Sequence, residues 1–76
     1  MGLSIRIVYM PPKDLGRRIR QARERRGLTQ QKLADKAALS WIYIAKLEAG
    51  DRKAPSLGAL ERIAKALGVK LVDLLK

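Results

Sequence analysis

Cationic side chains carry most of the chemistry this sequence can offer. Lys and Arg number 17 against 7 Asp and Glu, for a net charge of +10 with no His and no Cys. So one-sided a charge repels itself in a folded chain, which points to a polyanionic partner: nucleic acid or an anionic membrane surface. The missing residues exclude other chemistry. Without His and Cys there is no zinc site, no His-based triad and no disulfide. The carboxylates are scattered, with no evident acid/base or metal pair, and no Ser lies in a nucleophile motif. The chain is expected to be no enzyme and to need no cofactor or metal.

The length limits the scaffold that can position these charges. A chain of 76 residues makes one domain and buries only about 60% of the surface its unfolded form exposes. Apolar runs are far shorter than the roughly 18 residues of a membrane span. The first twelve residues lack a signal-peptide cleavage pattern, so the expected location is the cytoplasm, on the nucleoid. Residues 1–12 stand apart as a short N-terminal extension. Ser4 to Tyr9 is β-branched enough for a short strand, Pro11 and Pro12 then break regular structure, and Met10 is an alternative start. One strand alone is not stable, so the segment is either paired with another chain or a weakly packed arm.

From residue 13 to 76 the pattern is helical. Leu15, Ile19 and Ala22 recur at i, i+4 and i+7, with Pro12 before them and Gly27 after them. Residues 13–26 hold seven positive and two negative side chains, and Arg17, Arg18, Arg20, Arg25 and Arg26 fall on the solvent side. Such a run is commonly just a solvated face, but here it continues the charge of the whole chain. Thr29 is a good N-cap for a second helix with Leu33, Ala34 and Ala37 inward, ending near Ala38. Ser40 caps a third, to about Ala49, with Ile44 and Leu47 inward. A basic loop follows, 50–55. Ser56 caps a fourth, with Leu57, Leu60, Ile63, Ala64 and Leu67 inward and Gly68 as its stop. Leu71, Val72, Leu74 and Leu75 suggest a short fifth. The expectation is a compact all-α, five-helix domain.

Residues 30–49 read as helix, tight turn, helix. Ala34 is small where the two helices cross, and the wide crossing angle leaves one face of the second helix free for a DNA groove. On a helical wheel Ile42, Ala45, Lys46 and Ala49 point outward, with Trp41, Tyr43 and Glu48 on the flanks. A lysine can bond guanine O6 or N7, whereas an apolar side chain reads only the thymine methyl. Gln30 and Gln31 open the earlier helix, where free backbone amides favour an anion.

The runs Leu28-Thr29-Gln30-Gln31-Lys32-Leu33-Ala34, Leu39 to Gly50, Pro55-Ser56-Leu57 and Ile63 to Val69 together resemble the Cro/repressor (Xre-type) helix-turn-helix family. The likeness covers about Leu15 to Leu75. It implies a five-helix, repressor-like DNA-binding domain, acting as a small transcriptional regulator, a repressor or controller protein. It also implies a homodimer on an inverted repeat of double-stranded DNA, with helix 40–49 in the major groove. By the same resemblance Trp41, Ile42 and Lys46 contact bases. Gln30, Gln31, Ser40, Tyr43, Arg52 and Lys53 contact the DNA backbone. Arg23, four residues after Ile19, and Glu48, next to Leu47, form a buried structural ion pair. One departure stands out. Ala38 occupies a turn position where the family normally has glycine, so the family turn would place it in a left-handed conformation at a cost of roughly 1–2 kcal/mol. The alternative function is an antitoxin or adaptor-type interaction module that turns Trp41, Ile42 and Tyr43 towards a protein. The strong positive charge argues against that, and the short, capped helices argue against a membrane binder.

Overall fold

The computed structural model describes residues 12–51 and 55–76. Among them are five helices and no strand: α1 Leu15–Arg25, α2 Gln30–Ala37, α3 Trp41–Ala49, α4 Leu57–Leu67 and α5 Leu71–Leu75. The expected strand at Ser4–Tyr9 lies outside the described residues.

Local chemistry sets most of the boundaries. The hydroxyls of Thr29, Ser40 and Ser56 accept from the backbone N–H groups of Lys32, Tyr43 and Ala59, at 3.1, 3.0 and 3.0 Å. Each satisfies one of the amides a helix start leaves without an internal partner. The first helix is shorter than residues 13–26. Asp14, not Pro12, is its N-cap, and Arg17 and Arg18 reach back to the Asp14 carboxylate at 2.9 and 3.0 Å. The hydrogen bond from Arg17 holds that carboxyl below its ordinary pKa.

Four helix ends share one device. After each, a left-handed residue is followed by an apolar one whose N–H returns to a carbonyl five residues back. The bonds are Leu28 to Arg23, Leu39 to Ala34, Asp51 to Lys46 and Val69 to Ala64, with Asp51 the exception to the apolar rule. The left-handed residue is glycine three times, Gly27, Gly50 and Gly68, and once Ala38 at φ 57° and ψ 43°. This is the Schellman closure, and glycine normally supplies it because a Cβ is strained there. The alanine turn expected between the second and third helices is therefore present, left-handed as the resemblance implied.

The core draws on every helix. Ile19, Leu33, Ile44, Leu60, Ile63 and Leu67 are its largest fully buried side chains, each contributing about 1.5–3 kcal/mol through burial. α2 packs on α3 and α4, α1 on α3 and α5, and α4 on α5. Two expectations need correction. Leu57 is 45% exposed and not inward, because it sits in the first turn of α4, ahead of the packed stretch that begins at Ala59. Arg18 is not a free solvent-side residue either. It is half-buried and donates to the backbone carbonyls of Leu74 and Lys76, and Arg26 donates to Gly68 O at 3.2 Å. Arg18 of α1 and Arg26 at its C-terminal cap thus tie this helix to carbonyls in the last nine residues of the chain.

Candidate nucleic-acid interface

Helix α3 is presented by its neighbours. Ile44 and Leu47 bury its inward side, and α1 comes close to its C-terminal end. The approach is tight enough to require a glycine. A Cβ on Gly16 would stand 2.3 Å from the Leu47 carbonyl oxygen and 2.9 Å from that of Glu48. The sequence reading passed over Gly16, although a glycine inside a helix is itself a signal of close packing.

The flank of α3 is bonded to α1. Arg23 Nε and Nη2 donate to the two carboxylate oxygens of Glu48 at 2.7 and 2.9 Å, and Nη1 donates to Leu28 O at 2.8 Å. The side chains of Arg23 and Glu48 are only 12% and 3% exposed. The bonded carboxylate raises the Arg23 pKa above its already high ordinary value, so the guanidinium stays charged at any ordinary pH. The structure thus brings together the two residues expected to pair.

Gln30 extends this network. Its Nε2 donates to Glu48 Oε1 at 3.1 Å, and its Oε1 accepts from the Trp41 indole N–H at 3.3 Å. Both ends of the amide are bonded inside the protein. Residue types and spacing gave no sign of this connection, since its members lie 11 and 18 positions apart.

On the outer side, Trp41 is 51% and Ile42 57% exposed. Lys46 is exposed and its side chain has no hydrogen-bond or ion-pair partner among the described residues. Tyr43 is half-buried against the core, so the exposed apolar patch is narrower than the three residues expected. Ser40 is exposed, and its hydroxyl accepts the cap bond with its O–H donor left over. Gln31 is exposed on α2 and donates to Asp35 at 3.0 Å. Arg52 and Lys53 lie outside the described residues. Among the described residues, no cluster of carboxylates could hold a metal ion, and no helix is long and apolar enough to cross a membrane.

Two crossed helices, a tight left-handed turn and a second helix with an open polar-apolar face define a helix-turn-helix protein. The family described as "Helix-turn-helix domain" matches residues 14–75, and this chain belongs to that helix-turn-helix family, of the Xre type. It is 49% identical over 57 residues to the immunity repressor protein of Bacillus phage phi105, covering 75% of this chain and 39% of that one. It is 43% identical over 76 residues to the control protein C.BamHI of Bacillus amyloliquefaciens, covering 99% of this chain and 85% of that one. The biofilm master regulator SinR, solved in complex with DNA, superposes with a TM-score of 0.79 at 32% identity, over 82% of this chain and 98% of that one. The chain therefore spans about two fifths of the phage repressor and most of the control protein.

Proposed function

We propose that this chain is a transcriptional regulator that binds double-stranded DNA sequence-specifically, with α3 in the major groove. The observation that carries the reading is α3 itself. It is capped, bonded to α1 through Glu48 and packed against Gly16, yet Trp41, Ile42 and Lys46 on its outer side are left open. A helix held firmly on one side and exposed on the other suits a groove. The net charge of +10 suits phosphate, and the kinship with a phage repressor and a restriction control protein supports a regulatory role.

In this reading Trp41, Ile42 and Lys46 meet base edges. Gln31, Ser40, Tyr43, Arg52 and Lys53 serve the flanking phosphates. Gln30 stands at the same edge with its amide already bonded within the protein. The protein acts as a homodimer on an inverted repeat, in the cytoplasm on nucleoid DNA. Titration with labelled duplex DNA at 50 and 200 mM salt tests this. A dimer that makes about 6–10 phosphate contacts loses about 10³–10⁵ in affinity over that range.

A second reading has one observation in its favour: Trp41 and Ile42 are adjacent, large and more than half exposed. Such a pair also suits a protein partner, as in an antitoxin or adaptor. Duplex affinity that barely changes with salt would favour that reading.

A further inference from the structure

A carboxylate can only accept hydrogen bonds, and an indole N–H can only donate one. Gln30 lies between one of each. Its Nε2 is 3.1 Å from Glu48 Oε1 and its Oε1 is 3.3 Å from Trp41 Nε1. A side chain in that place must donate at one end and accept at the other, which a primary amide does. The amide can have only one orientation. Flipped, it would set oxygen against the buried carboxylate and N–H against the indole N–H. Glu48 is fixed in turn by Arg23, so the chain Arg23, Glu48, Gln30, Trp41 runs from α1 to the exposed start of α3.

We propose that Gln30 is a positioning residue that holds the Trp41 indole at the leading edge of α3 and consumes its single donor. Trp41 and Ile42 then form an apolar reading edge without a donor. The inference rests on the DNA-binding reading and sharpens it. Only the second N–H of Nε2 is left to meet a phosphate; turning the whole amide away would strip a donor from Glu48 and the acceptor from the indole. With its N–H engaged, Trp41 offers bases only ring carbon, which suits a thymine methyl and gives guanine O6 and N7 nothing. Guanine acceptors are left to Lys46.

Trp41 is the only tryptophan, so one indole resonance in a ¹H–¹⁵N correlation spectrum reports the bond directly. Gln30→Met keeps length and removes both polar atoms. In the full chain, Gln30→Met is expected to shift that resonance and speed its exchange with solvent about tenfold. A duplex selected from a random library with the parent protein supplies the binding probe. Gln30→Met should weaken binding to that duplex about tenfold, while a scrambled duplex of equal length stays within about twofold. Trp41→Phe, which keeps a ring and lacks the donor, guards against misfolding of the first variant. Once Gln30→Met is present it should cost clearly less than it does alone.

An indole resonance and exchange rate unchanged by Gln30→Met overturn the clamp. Equal weakening on selected and scrambled duplexes leaves Gln30 a phosphate contact alone and overturns its positioning role. If the parent binds no duplex, the functional reading and the reading edge fall together, and the indole resonance alone then decides the clamp.

Discussion

The two sides of α3 are built on opposite terms. The inward side is saturated: Ile44 and Leu47 are buried, Glu48 is held by two residues, and the backbone at Leu47 and Glu48 is in near contact with Gly16. The outward side is left open, with two large apolar side chains more than half exposed and the Lys46 side chain unpaired among the described residues. A helix that must reach into another molecule gains nothing from bonds on its reading side. Its precision has to come from behind, and the residues that position it are therefore those a contact-based search would dismiss. Substitutions on the inward side should act through stability, and those on the outward side through binding.

The largest effect is expected at Glu48. Glu48→Ala leaves Arg23 with a nearly buried, uncompensated charge, which typically costs about 3–5 kcal/mol. Chemical denaturation measures it. A loss under about 1 kcal/mol, the range of a surface pair, would erase the contrast between the two sides. The pH range of this contribution follows from its direction. Arg23 has its pKa raised on folding, so its stabilisation is present below the ordinary arginine value and fades only above it, beyond ordinary working pH.

Gly16 comes next. Alanine favours helix over glycine by about 1 kcal/mol, so helix propensity alone would have Gly16→Ala stabilise the fold. The Cβ, however, would stand 2.3 Å from a backbone oxygen that cannot rotate away. Overpacking of this kind costs about 1–3 kcal/mol, and thermal melting should show a net loss. A rise in Tm would mean that α1 and α3 separate easily, and that the inward side is less rigid than its bonds suggest.

How much of this was legible in the sequence depends on the range of the interaction. Thr29, Ser40 and Ser56 as caps, and Gly27 and Gly68 as stops, could be read because cap and helix are neighbours in the chain. The buried stripe of α4 could be read from its period, except at Leu57, where the helix begins before its packing does. Arg18 was misread as solvent-facing, and the bond of the exposed Arg26 to Gly68 was not foreseen, because their partner carbonyls lie 42 to 58 residues away. The clamp on Trp41 escaped for the same reason. The Arg23–Glu48 pair, 25 residues apart, was foreseen through the family likeness, with burial beside Ile19 and Leu47 as its only local sign.

The turn between α2 and α3 sets the angle at which the open side is offered, and Ala38→Gly probes it. Alanine in a left-handed conformation costs roughly 1–2 kcal/mol, while a glycine returns about 0.5–1 kcal/mol through the greater freedom of the unfolded chain. The expected net is a stabilisation of between zero and about 1.5 kcal/mol, visible as a Tm that is unchanged or higher. A clear loss would show that the Ala38 methyl contributes packing that its exposed position does not suggest.

The smallest effect on stability is expected on the outward side, where it is the most telling. Ile42→Ala and Lys46→Ala remove side chains that point into solvent, so each should leave the unfolding free energy within about 0.5 kcal/mol of the parent. Binding should respond differently. If Ile42 covers a thymine methyl, Ile42→Ala weakens the preference for a site with thymine at that step by about 1 kcal/mol. Lys46→Ala distinguishes a base contact from a phosphate contact. Loss confined to the selected sequence means a bond to a base, whereas equal loss on every duplex, with a shallower salt dependence, means phosphate. Variants that keep parental stability and bind like the parent would leave α3 with no reading role. The open side would then belong to a protein contact through Trp41 and Ile42, and the bonds behind it would serve to present that patch instead.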